Sequence, residues 1–157
     1  MRISRVTLSI VALSVAGLGL TVAAQQKPAA TAAPKVTVYK TSSCGCCKLW
    51  VDHMKANGFD VQAMDVSSAD VRAVSKAAGL KDEDVSCHTA KIGNYTVEGH
   101  VPAADIKRML QEKPAIAGLS APGMPQGSPG MEQGAKEPYD VIAFKKDGTS
   151  TVYAKHK

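Results

Sequence analysis

Three thiols fall within four residues, Cys44-Gly45-Cys46-Cys47, and they sit where a strand signal gives way to a helix signal. Residues 35–40 (KVTVYK) alternate as a strand does, and residues 44–57 carry helical periodicity up to Gly58. That register sets Cys47, Trp50, Val51 and Met54 on one face. The junction constrains the fold, because the first strand must deliver the thiols to a helix N-terminus. The N–H groups and macrodipole there favour thiolate, the form that binds metal or attacks a disulfide. Regular helix geometry splays side chains two residues apart. Gly45 is expected to relax that limit by taking backbone conformations closed to other residues, so that three sulfurs converge.

The fourth cysteine, Cys87, lies just before a third strand signal. Between the two cysteine sites, residues 59–66 read as a strand. Ser67, Ser68 and Asp70 offer N-caps to a helix that ends at Gly79. Residues 89–92 and 95–98 flank Gly93-Asn94 as a hairpin. Residues 102–112 form a third helix, with Pro102 suited to its first turn. After Pro114 a Gly/Pro-rich loop leads to two strands, 140–145 and 149–154, turned around Asp147-Gly148. The order β-α-β-α-β-β-α predicts a small three-layer α/β domain of thioredoxin-like type with an added C-terminal β-hairpin. In that arrangement the loop before the third strand faces the first helix and brings Cys87 over the other three.

The N-terminus sets the compartment. Arg2 and Arg5 precede an apolar run from Val6 to Val22, and Ala23 and Ala24 close it before Gln25. Basic, apolar and small-residue regions in that order predict a cleaved secretory signal peptide over 1–24. Residues 25–34 (QQKPAATAAP) are too poor in large apolar side chains to pack and read as a disordered tether. The folded domain is expected over 35–157. The net charge of +5 is scattered over the chain, aromatics are few, and no basic stripe is present. These features predict no nucleic-acid partner, and no stretch after the leader is long and apolar enough for stable membrane insertion of the mature chain.

Three chemistries compete for the thiols. An exported chain with an even cysteine count invites two disulfides. Bridging neighbours inside C-x-C-C strains disulfide geometry, however, and closes loops too short to constrain the unfolded chain. Cys44 and Cys47 alone spell the C-x-x-C of a thiol-disulfide oxidoreductase. Against that, Cys46 inside the motif invites mis-pairing, and Ser86-Cys87-His88-Thr89 stands where such an enzyme carries proline. Soft thiolates also select copper(I), zinc or iron–sulfur centres. Structural zinc sites draw on two spaced pairs. A crowded trio plus one suits bridging of several copper(I) ions.

The stretches YKTSSCGCCKLWVDHMKANGF, SCHTAKIGNYTVEGHVPAADIKRML and EKPAIAGLSAPGMPQGSPGME together resemble the exported copper-resistance CopG family. The resemblance implies a thioredoxin-like fold and a periplasmic location in a Gram-negative bacterium. It also implies a multinuclear copper(I)–thiolate cluster held by Cys44, Cys46, Cys47 and Cys87, with a suggested role in copper redox conversion. Partners would be copper ions and other periplasmic copper-handling proteins.

Other soft or basic side chains are graded by position. His88 adjoins Cys87 and reads equally as an auxiliary ligand or donor behind the ligands and as a surface or capping histidine. Met124 and Met131, in APGMPQGSPGME, offer thioethers that suit copper(I), although loop methionines also fill gaps against a core. His100, before Val101-Pro102, reads as structural. His53 falls off the apolar face and is expected to be exposed, and His156 is expected in a fraying tail. Trp50 reads as core beside the site.

Overall fold

The computed structural model describes residues 32–157. The expected leader, and the tether as far as residue 31, lie outside the described residues. Residues 32–34 are exposed and carry no regular structure. The elements that follow are β1 (Lys35–Lys40), α1 (Gly45–Ala56), β2 (Asp60–Asp65), α2 (Ser68–Ala77), β3 (Thr89–Ile92), β4 (Tyr95–Glu98), α3 (Ala103–Glu112), β5 (Gly118–Ser120), β6 (Tyr139–Phe144) and β7 (Ser150–His156).

One sheet holds these strands in the order β2-β1-β3-β4-β5-β6-β7. β1 runs parallel to β2 and antiparallel to β3, which returns antiparallel as β4. Strand alternation decides the layers. Val36 and Val38 pair with Ile92 and Ala90, and all four face a core that includes Trp50, Met54, Ile106 and Met109. Each large apolar side chain buried there stabilises the fold by roughly 1.5–3 kcal/mol. Thr89 faces the other way, and its hydroxyl oxygen lies 3.4 Å from the Val71 carbonyl oxygen of α2. Helices thus cover both faces, as the predicted three-layer α/β architecture requires.

The helix ends explain themselves locally. The Cys44 sulfur accepts the Cys47 N–H at 3.3 Å as the N-cap of α1. Ser67 accepts the Asp70 N–H at 3.1 Å to start α2. Pro102 precedes α3 but offers no side-chain acceptor. That role falls to His53, whose Nε2 accepts the Ala103 N–H at 3.1 Å. The expectation of an exposed His53 is therefore corrected. It is half-buried, and burial lowers its pKa below the usual histidine value.

Two further expectations change at the C-terminal end. The stretch after Pro114 contains β5, which pairs parallel to β4 and antiparallel to β6. The β6–β7 hairpin therefore extends the main sheet. A three-residue strand buried throughout has no alternation to read. His156 does not fray: it lies in β7, stacks on Tyr139, and sets Nε2 2.7 Å from the Asp105 carboxylate of α3.

Candidate metal centre

The four cysteine sulfurs lie within 4.8 Å of one another. Gly45 does not produce this convergence, since it is not among the glycines with positive φ. Cys44 instead stands outside the helix as its cap, with φ −76° and ψ 97°. Its side chain thereby escapes the helical splay and meets those of Cys46 and Cys47. Cys44 and Cys47 are joined as a disulfide, with Cα atoms 5.4 Å apart, inside the ordinary range for such bonds. Crowding therefore does not prevent this one pairing. Cys46 and Cys87 are free thiols. Cys46 Sγ is 3.6 Å from Cys44 Sγ, and Cys87 Sγ is 3.5 Å from Cys47 Sγ. Burial, and then the neighbouring Cys46, push the Cys87 thiol up to about 12.

A second group overlaps the first, made of Cys87, His88 and His100. Cys87 Sγ lies 3.4 Å from His88 Nδ1 and 3.1 Å from His100 Nε2. His100 Nδ1 is 2.8 Å from the Pro129 carbonyl. A carbonyl only accepts, so Nδ1 carries the proton and Nε2 turns a lone pair toward the sulfur. Burial lowers the His100 pKa and keeps the ring neutral. His88 is pushed well below the usual range by burial, then by His100 and Lys40. Among the described residues, His88 Nε2 is the buried side-chain nitrogen left without a hydrogen bond. An unpartnered buried polar atom costs about 1–3 kcal/mol. Trp50 holds that ring in place from 4.6 Å and is itself anchored by its Nε1–H to the Val101 carbonyl at 2.9 Å.

Sequence reasoning assigned His100 a structural place, and the structure moves it into the site. The usable signal was the hairpin: strands paired around Gly93-Asn94 bring residues 88 and 99 back together, as the Gly99 N–H to His88 carbonyl bond of 2.9 Å shows. Glu98 was also missed. It is buried, accepts the Ser86 N–H at 2.8 Å and the Thr89 hydroxyl at 2.6 Å, and so pins both sides of the Cys87-His88 pair. Burial raises its carboxyl to about 7.

The Gly/Pro-rich loop closes over the site. Gly130 packs so tightly that a Cβ there would lie 2.8 Å from the Cys46 carbonyl and 2.9 Å from the Trp50 nitrogen. Met131, next along, is half-buried. Met124 is 53% exposed, beside the Gly123 N–H that binds the Val85 carbonyl at 3.0 Å.

The fold has solved counterparts. A structure described as copper resistance protein CopG, Form 1, is 42% identical, with a TM-score of 0.72 over 78% of this chain and 98% of that one. The chain belongs to the CopG family. A second CopG structure, Form 2, is 41% identical with a TM-score of 0.72, covering 80% of this chain and 99% of that one. Residues 85–131 match the family described as "Protein of unknown function, DUF411". That span runs from the Cys87 loop of this CopG chain through His100 to Gly130 and Met131. No curated protein matches the chain.

Proposed function

We propose that this CopG chain is a periplasmic copper(I)-binding protein that serves copper tolerance. Copper is its cargo, held as a multinuclear cluster by the thiolates of Cys44, Cys46, Cys47 and Cys87 on a thioredoxin-like frame. The observation that carries this reading is the convergence of four sulfurs within 4.8 Å beside the neutral Nε2 of His100. Soft thiolates and imidazole suit copper(I), and its low coordination number tolerates crowding. The orphaned His88 nitrogen marks a buried site with unmet polar capacity, and the CopG relatives are named for copper resistance. His88, His100, Met124 and Met131 serve as auxiliary ligands or orient the thiolates. Loading first needs an external dithiol reductant to give two electrons and two protons to the Cys44–Cys47 disulfide, after which copper(I) displaces the protons of the four thiols. The segment 1–24 directs export, and 25–34 is a spacer.

A second reading rests on the disulfide itself. Cys44 and Cys47, bonded at a helix N-terminus, have the arrangement of a thiol-disulfide oxidoreductase. Metal analysis of protein purified anaerobically from copper-fed cells, with a free-thiol count, separates the two. Several coppers per chain with neither free thiols nor disulfide is the expected result. An intact disulfide without metal would overturn the copper reading and favour the oxidoreductase.

A further inference from the structure

A cleft of about 570 Å³ opens at the end of the β3–β4 hairpin away from the cysteines. The length of β3, roughly 3.3 Å per residue, separates it from Cys87. Its floor is apolar, formed by Ala78, Ile116 and Ala117, and Lys91, Lys145 and Lys146 stand around it. The walls are built into the fold. The Ala117 N–H donates to the Phe144 carbonyl at 2.7 Å, and the Thr96 N–H to the Ala117 carbonyl at 2.9 Å. The turn between β6 and β7 is seated on the end of α2, where a Cβ on Gly79 would lie 2.7 Å from Lys146 Cα.

Positive charge outweighs negative charge in this cleft. Among the described residues none of its three lysines has a carboxylate partner. Asp147, its sole acidic lining residue, turns its carboxylate onto the Thr149 N–H and hydroxyl at 2.9 and 2.7 Å. The C-terminus of α2 adds about half a negative charge. Even with Asp147 counted in full, three ammonium groups leave a clear positive excess. Lys91 is half-buried, and its ammonium donates to the Thr96 hydroxyl at 2.7 Å. Its pKa is lowered by burial and then by Lys146, as expected of two cations with no anion between them.

We propose that this cleft binds an oxyanion, a phosphoryl or carboxylate group carried by a small molecule whose apolar part rests on the alanine and isoleucine floor. Lys91 and Lys146 hold the anion, and Asn94 and Thr96 add neutral polar contacts. The inference is independent of the copper site.

Amide chemical shifts of the protein, titrated with inorganic phosphate and separately with citrate, test it against sodium chloride at matched ionic strength. Saturable shifts at Lys91, Thr96 and Lys146 are expected with at least one of the two anions, and the tighter one names the group carried. Lys91→Met, which keeps the aliphatic stem, and Lys146→Ala should each weaken binding about tenfold. Their spectra should stay unchanged away from the cleft. Shifts that never saturate, shifts that chloride reproduces, or variants that bind as the parent does would overturn the proposal.

Discussion

His100 points Nε2 at the Cys87 sulfur from 3.1 Å while its other nitrogen is tied to the Pro129 carbonyl at 2.8 Å. A backbone acceptor that fixes one nitrogen leaves the other set as a ligand, an arrangement common behind metal-binding histidines. His100→Phe keeps the buried volume and removes the lone pair. Copper(I) affinity, measured by competition with a chelator on the reduced protein, should fall at least about tenfold. Affinity equal to the parent's would remove His100 from the site.

Cys46 is the thiol that separates metal chemistry from dithiol exchange. Cys46→Ser leaves the Cys44–Cys47 pair intact. We expect the copper content per chain to drop sharply, because a shared cluster needs the middle sulfur. If the variant loads as the parent does while Cys44→Ser abolishes disulfide exchange, the oxidoreductase reading prevails.

Much of this could be read from the sequence. β1 through α3 follow from periodicity and caps, and β3 and β4 match the expected residues 89–92 and 95–98. The cysteine trio and Cys87 were legible because strand, helix and hairpin lengths fix where chain ends meet. What stayed hidden depends on partners distant in sequence. His53 gains its role from α3, and His156 gains its role from Asp105, 51 residues away. Glu98 is buried because Ser86 and Thr89 close on its carboxylate, a contact that a strand signal over 95–98 does not carry. Beyond a hairpin, local pattern does not say which distant residue a fold will place opposite.

Glu98 should make stability depend on pH. Burial raises its carboxyl from 4.5 to about 7 in the folded protein. The folded state then holds a proton that the unfolded chain releases. This contribution is present in full below about pH 4.5 and is lost as pH rises through about 7. At roughly 1.4 kcal/mol per unit, the loss is about 3 kcal/mol at most. The buried His88 and His100 act in the opposite sense below their usual pKa, so the difference between parent and variant is the quantity to measure. Glu98→Gln can still accept from Ser86 and donate to Thr89. Denaturant unfolding from pH 4 to 9 should show the variant's relative stability rising with pH. Parallel curves would show that folding leaves the pKa of this carboxyl unshifted.

Gly130 tests the loop. Its φ is +88°, and an added Cβ would meet the Cys46 carbonyl, the Trp50 nitrogen and, at 3.3 Å, His100 Nδ1. Gly130→Ala should cost about 1–3 kcal/mol in denaturant unfolding and weaken copper binding by lifting Pro129 from His100. Unchanged unfolding would mean that the loop adjusts without strain.

Cys47 and Cys87 touch across 40 residues of chain. An ion held jointly by their sulfurs is therefore a cross-link as well as a cargo. Closing a loop of that length removes unfolded-state entropy worth on the order of 4 kcal/mol. The Cys44–Cys47 bond, three residues apart, encloses almost nothing by comparison. Exchanging that bond for shared metal would turn a local clasp into a staple between β1–α1 and the β3–β4 hairpin. The loaded chain would then resist heat and proteases at places far from any sulfur.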